Sequence, residues 1–330
     1  TQAGSAADAT SGLASTVWTQ VSGPGTVTFG TATATTTTVS ADADGTYVIR
    51  LTATDNAGNS SNSTITFVWD TTNPTVSAGS VPTPKNALFT QAGSASDTTS
   101  ELASTTWTQV SGPGTVTFGT ATATTTIVSA SADGTYVIKL TAVDNAGNSA
   151  DSTVTFVWDT VAPTVNAGLN VSKNTLFTTS ATASDTTSGI AAYAWSMVSG
   201  PEVITLGTPA ALNTTVSANT DGSYVIRLTV TDNAGNSNNS IFTLTWDTVV
   251  PTVSAGAAPS PKNALFTQTG SASDSSPSSG IAAITWTQVS GPGTVTFGSV
   301  NATTTTVSAN TNGSYTIRLT VVDNAGNSNN

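Results

Sequence analysis

Four aspartates, Asp55, Asp144, Asp232 and Asp323, each open the same acidic segment, Asp-Asn-Ala-Gly-Asn, and stand 89, 88 and 91 residues apart. A second set, Asp8, Asp97, Asp185 and Asp274, keeps nearly the same period. A third, Asp70, Asp159 and Asp247, follows a tryptophan in a repeated Trp-Asp-Thr. These eleven make up most of the sixteen aspartates in the chain. Carboxylates brought together repel and raise one another's pKa unless something neutralises them, and a hard divalent cation does so.

Little other chemistry is on offer. The chain has no cysteine and no histidine, which removes disulfides, thiol chemistry, the usual zinc ligands and the commonest general base at neutral pH. With no nucleophile-and-base pair, no enzymatic activity is expected. Seven Lys and Arg stand against eighteen acidic residues, a net charge of -11 and a pI near 4.1, which argues against a nucleic-acid partner. No apolar run approaches the roughly 18 residues of a spanning helix, so no membrane segment is expected within this stretch. No signal-like segment opens the chain at Thr1, and any export signal or anchor is expected outside it.

The elements that must position the aspartates repeat with them. Trp18, Trp107, Trp195 and Trp286 keep the same spacings of 89, 88 and 91. In 134–144, Tyr136, Ile138, Leu140 and Ala142 alternate with Val137, Lys139, Thr141 and Val143, the period of a strand with one buried face. Reading one unit in this way predicts strands at 74–79, 87–94, 104–110, 115–118, 124–129, 134–143 and 153–158. Gly, Pro and Asp-Gly punctuation separates them, and a turn-rich crossing occupies 81–86.

Seven short strands in about 89 residues, with a Trp on the third and a Tyr opening the sixth, match an immunoglobulin-like sandwich. Trp107 and Tyr136 are expected as a core anchor and a tyrosine corner, and Trp69, Trp158 and Trp246 as plugs at the end of a sandwich. The fold class is therefore all-β: tandem immunoglobulin-like β-sandwiches of about seven strands each in an elongated array. The repeats are expected at 1–70, 71–159, 160–247 and 248–330, the first without its opening strand and the last without its closing one. Such edges expose unpaired backbone groups. Two explanations stand: a window of a longer array or continuous fibre with homopolymer contacts between identical chains, or a subunit completed by strand exchange.

Counting strand directions brings the 96–101 loop, the 144–148 loop and the incoming linker to the same end of a repeat. Three junctions are therefore expected: Asp70 with Asp97 and Asp144, Asp159 with Asp185 and Asp232, and Asp247 with Asp274 and Asp323. Calcium, with about six to eight oxygen ligands, suits them best. Asn145, Asn233 and Asn324 are further oxygen donors, and Glu101 adds a carboxylate at one junction only. The rival reading has each Asp capping its own turn as an Asx turn. Asp133-Gly134 and Asp221-Gly222 read as ordinary turns at the opposite end, and Asp151 as surface. Lys85-Asn86, Lys173-Asn174 and Lys262-Asn263 recur before the second strand, but adjacent residues cannot cross-link two strands.

The Tyr-Val-Ile-Arg-Leu-Thr-Val-Thr-Asp-Asn-Ala-Gly-Asn run at 224–236, with Trp-Asp-Thr-Val-Val-Pro-Thr at 246–252, resembles bacterial Ig-like repeats of large cell-surface adhesins. Trp-Thr-Gln-Val-Ser-Gly-Pro at 107–113 is similar to PKD and PKD-like domains. The resemblance covers all four units and implies an extracellular or cell-surface stalk, spacer or fibre, with calcium between domains in some members. A ligand-binding adhesin module that recognises a carbohydrate or protein is the alternative. It calls for a patch that differs between repeats, and the repeats are nearly identical.

Overall fold

The computed structural model describes residues 1–275 and 278–330. The chain divides into two compact units, Thr1–Thr160 and Val161–Asn330, and the described residues include no helix. Each unit is built from small, mainly antiparallel sheets that pack in pairs as immunoglobulin-like sandwiches, as the alternation predicts.

In the first unit, the second repeat shows the plan. Its strands are β1 (Thr75–Ser77), β2 (Phe89–Ala92), β3 (Ser94–Ser96), β4 (Leu102–Ser111), β5 (Val116–Phe118), β6 (Thr125–Ala130), β7 (Gly134–Asp144) and β8 (Ser149–Trp158). One sheet runs β4-β7-β8, the facing one β5-β6-β2, and β3 pairs with β1. The first repeat has the same long sheet, Leu13–Ser22, Gly45–Asp55 and Ser60–Trp69.

Period-2 alternation puts Tyr136, Ile138 and Leu140 wholly inside, where they meet Trp107, Val128, Val154 and Phe156. Burying each large apolar side chain contributes about 1.5–3 kcal/mol. Tyr136 stacks on Phe156 at 5.2 Å and Trp107 on Phe118 at 6.4 Å. The Tyr136 hydroxyl donates to the Ala132 carbonyl at 2.6 Å, the expected tyrosine corner. Gln109 clamps the Ser-Gly-Pro-Gly turn, donating to the Gly114 carbonyl at 2.6 Å and accepting from the Val116 amide at 2.8 Å.

Two expectations need correction. The strand expected at 87–94 is broken at Gly93: β2 pairs with β6, whereas β3 pairs with β1. A Cβ at Gly93 would press on Leu140 Cδ2 and on the carbonyls of Ser77 and Thr124, all within 2.9 Å. The chain crosses between sheets where only glycine fits. The 81–86 crossing is also not purely a turn, because Lys85 lies parallel to Trp158 at the edge of the long sheet.

In the second unit, the equivalent Val171–Lys173 is a full parallel strand beside Ser237–Trp246. It widens the long sheet of the third repeat to four strands with Gly222–Asp232 and Ile190–Ser199. Tyr224, Ile226, Leu228 and Trp195 form its core. The fourth repeat packs Trp286 against Leu319 and Val321 between Ile281–Ser290 and Thr316–Asp323. Trp158 and Trp246, expected as plugs, are both buried core residues.

Candidate metal centre

The register of β7 decides where Asp144 goes. It occupies the next inward position after Tyr136, Ile138, Leu140 and Ala142, and is 1% exposed. A carboxylate in that row must be satisfied, and its own loop begins the work. Its Oδ1 accepts from the Ala146 and Asn148 amides, both at 2.9 Å, and its Oδ2 accepts from Asn148 Nδ2 at 2.9 Å. Burial pushes the Asp144 pKa up, but the hydrogen bonds from Asn148, Ala146 and Gly147 outweigh it and hold the carboxyl below the usual aspartate value.

Asp97 enters from the loop between β3 and β4. Its Oδ1 accepts from the amides of Thr99, Ser100 and Glu101 at 3.0, 2.8 and 3.0 Å. Asn145 joins the two loops, donating to the Ser100 carbonyl at 2.8 Å. Asp70 arrives along the linker from the first repeat. Its Oδ1 accepts from the Thr72 amide at 3.0 Å, and Asn148 Nδ2 reaches its carbonyl at 3.1 Å. The other oxygen, Asp70 Oδ2, is buried and has no hydrogen-bond partner, and the residue is 8% exposed. Oxygens of Asp70, Asp97 and Asp144 all lie within 4.8 Å of one another.

In the second unit, Asp247, Asp274 and Asp323 meet under the same limit. Asp323 Oδ1 accepts from the Gly326 and Asn327 amides at 2.7 and 2.8 Å, and Asn327 Nδ2 donates to the Asp247 carbonyl at 2.8 Å. The division of labour differs from the first unit: Asp247 Oδ2 accepts from the Ser279 amide at 2.8 Å, and the buried unpartnered oxygen is Asp274 Oδ1. Of the remaining trio, Asp159 belongs to the first unit, one residue before its end, with its amide donating to the Lys85 carbonyl at 2.8 Å. Asp185 and Asp232 belong to the second unit. Asp185 Oδ1 accepts from the amides of Thr187, Ser188 and Gly189. Asp232 repeats the Asp144 pattern with Ala234 and Asn236.

Turn capping and convergence of the aspartates are not exclusive. Each loop aspartate caps its own turn, and the first and third trios still converge. Asp8 and Asp55 remain an Asx pair in the first repeat, with Asp8 held below the usual value chiefly by the Ser11 amide and Asp55 chiefly by the Asn59 side chain. The expectation for Asp133 and Asp221 is corrected. Their carboxylates reach across to the outgoing linker, Asp133 accepting from the Thr160 amide at 2.9 Å and Asp221 from the Thr248 amide at 3.0 Å. Asp44 does the same to Thr71 at 2.9 Å. The only sequence sign of this is the fixed 27-residue separation between each Asp-Gly and its linker threonine. Asp151 is half-exposed and pairs with Lys139 at 3.1 Å.

Chemically the first and third trios, each within one unit, are all-oxygen, anionic and partly closed to solvent, a donor set for a hard cation and not for a soft one. No membrane-length apolar helix accompanies them among the described residues. Within each unit the fold defines tandem sandwich repeats with an acidic contact between them. The chain belongs to the K319L-like PKD domain family, whose model matches residues 1–68, 78–157, 166–245 and 261–330.

No curated protein sequence matches the chain. Among solved structures it is similar to the PKD domain from KIAA 1837 protein, at 21% identity, covering 25% of this chain and 83% of that one with a TM-score of 0.20. It is also similar to the protocadherin gammaB7 EC3-6 cis-dimer structure, at 17% identity over 96% and 92% of the two chains with a TM-score of 0.31. The human desmocollin-1 ectodomain aligns at 12% identity over 95% and 70%, with a TM-score of 0.29.

Proposed function

We propose that this chain is the structural repeat region of an extracellular bacterial surface protein or fibre, a non-catalytic rod-like spacer whose junctions are stiffened by calcium. Its repeats run 1–70, 71–159, 160–247 and 248–330. The ligands are Asp70, Asp97 and Asp144 at the first junction and Asp247, Asp274 and Asp323 at the third. Sequence equivalence extends the assignment to Asp159, Asp185 and Asp232.

The observation that carries the reading is Asp70 Oδ2, a buried carboxylate oxygen with no hydrogen-bond partner beside two further carboxylates. An anionic oxygen in that setting costs several kcal/mol unless a cation or water serves it. A divalent ion shared by a linker and two loops would join neighbouring repeats by its differential affinity for the folded junction.

Calorimetric melting of the 330-residue chain in millimolar calcium and in excess chelator tests the proposal. At a hundredfold excess over Kd, each site adds about 2.7 kcal/mol, so the transition shifts upward with calcium. Identical melting in the two buffers overturns the reading.

A further inference from the structure

The three Asp-Gly turns that precede the long strands do more than turn the chain. Asp44 Oδ1 accepts from both the amide and the hydroxyl of Thr71 at 2.9 Å, and its Oδ2 accepts from the Thr72 hydroxyl at 2.6 Å. Asp133 takes the Thr160 amide at 2.9 Å and its hydroxyl at 3.0 and 3.3 Å. Asp221 takes the Thr248 amide at 3.0 Å and its hydroxyl at 3.1 Å from both oxygens. In every case the threonine directly follows a linker aspartate, Asp70, Asp159 or Asp247. A turn needs no partner 27 residues away, so local backbone geometry does not explain the contact.

A second tether acts on the other flank of two of these aspartates. The Asp159 amide donates to the Lys85 carbonyl at 2.8 Å and the Asp247 amide to the Lys173 carbonyl at 3.0 Å. The linker is thus held on both sides of its aspartate by the repeat it is leaving. We propose that Asp44, Asp133 and Asp221 are positioning residues: they lock the first linker threonine and so preorganise the neighbouring aspartate carboxylate for a divalent cation. The inference rests on the calcium reading above.

The physical reason is entropic. A free linker must be ordered when the ion arrives, whereas a locked one has been ordered during folding, and affinity rises by the difference. Hydrogen bonds to an ionised carboxylate are the stronger kind: three donors converge on Asp44, and an amide and a hydroxyl shared between both oxygens converge on each of Asp133 and Asp221.

The test compares the full chain with the triple variant D44N/D133N/D221N and with T71V/T160V/T248V, which removes the hydroxyl donors without changing charge. Asn312-Gly313 in the fourth repeat shows that asparagine is accommodated at this turn position. Amide hydrogen exchange is read at residues 71, 160 and 248 in chelator, and calcium binding by titration calorimetry. The expected result is exchange at those amides accelerated about tenfold in the Asp variant, and calcium binding about tenfold weaker in it and weaker in the Thr variant, the size of one charge-assisted hydrogen bond lost per linker.

Unchanged exchange at the three amides overturns the lock. Faster exchange with unchanged calcium affinity overturns the positioning role while leaving the calcium reading intact. No calcium uptake by the wild-type chain overturns that reading and the positioning role together, and the exchange arm still reports whether the lock exists. If the Asp variant fails to fold, the Thr variant decides through calcium affinity: weaker binding supports the positioning role and unchanged binding overturns it.

Discussion

Asn148 donates from Nδ2 to the carbonyl oxygen of Asp70 at 3.1 Å, joining residues 78 positions apart in sequence. The same amide group serves Asp144 Oδ2 at 2.9 Å. One side chain therefore links the loop of the second repeat to the linker from the first. Replacing it leaves two buried acceptors short of a donor. Asn148→Ala should cost about 1–2 kcal/mol in denaturant unfolding of the full chain, with the loss confined to the unit Thr1–Thr160.

Glu101 is the one described non-glycine residue with positive φ, at 63°, where the other repeats place Gly12, Gly189 and Gly280 at 77–80°. A side chain there is strained by its Cβ against the backbone. Glu101→Gly should therefore stabilise the second repeat by about 1 kcal/mol despite the glycine's greater freedom when unfolded, read as a higher melting temperature in chelator.

Gly112 has φ of 145°, and a Cβ on it would land in the ring of Tyr136. Gly112→Ala should cost about 2–3 kcal/mol through overpacking and strain. Tyr136→Phe keeps the ring stacked on Phe156 but abandons the Ala132 carbonyl, and should cost about 1 kcal/mol. Equilibrium unfolding of the two variants separates the packing role of the corner from its hydrogen bond.

Asp8, Asp44, Asp55 and Asp144 all titrate below the ordinary aspartate value of 3.8. The causes are the Ser11 amide for Asp8, the Thr72 hydroxyl for Asp44, the Asn59 side chain for Asp55, and for Asp144 loop hydrogen bonds that exceed an opposing burial effect. A depressed folded pKa means the unfolded chain takes up protons first. Their contribution is complete above 3.8 and is lost as pH falls through the lower folded values. Stability in chelator should be flat from neutral pH down to about 5 and decline below 4, measured by unfolding at a series of pH values.

The sandwich was legible because its signals are local. Period-2 alternation through 134–144 names the inward row, and the Trp107 and Tyr136 positions name the core anchor and the corner. The Lys85 pairing and the break at Gly93 were not legible, since both depend on which sheet the chain joins as it crosses the sandwich. The locks from Asp44, Asp133 and Asp221 were hidden for a similar reason: an Asp-Gly reads as a turn until the linker is seen beside it.

The sequence by itself determined that Asp70, Asp97 and Asp144 belong to one period and to one end of a repeat, because strand direction alternates and the loops follow from it. Only the tertiary structure decided how each oxygen is used. The loop amides engage Asp97 Oδ1 and both oxygens of Asp144, while Asp70 Oδ2 is left buried without a donor. That allocation depends on placement to within a few tenths of an ångström, the scale on which a hydrogen bond is made or lost and which a residue spacing does not carry.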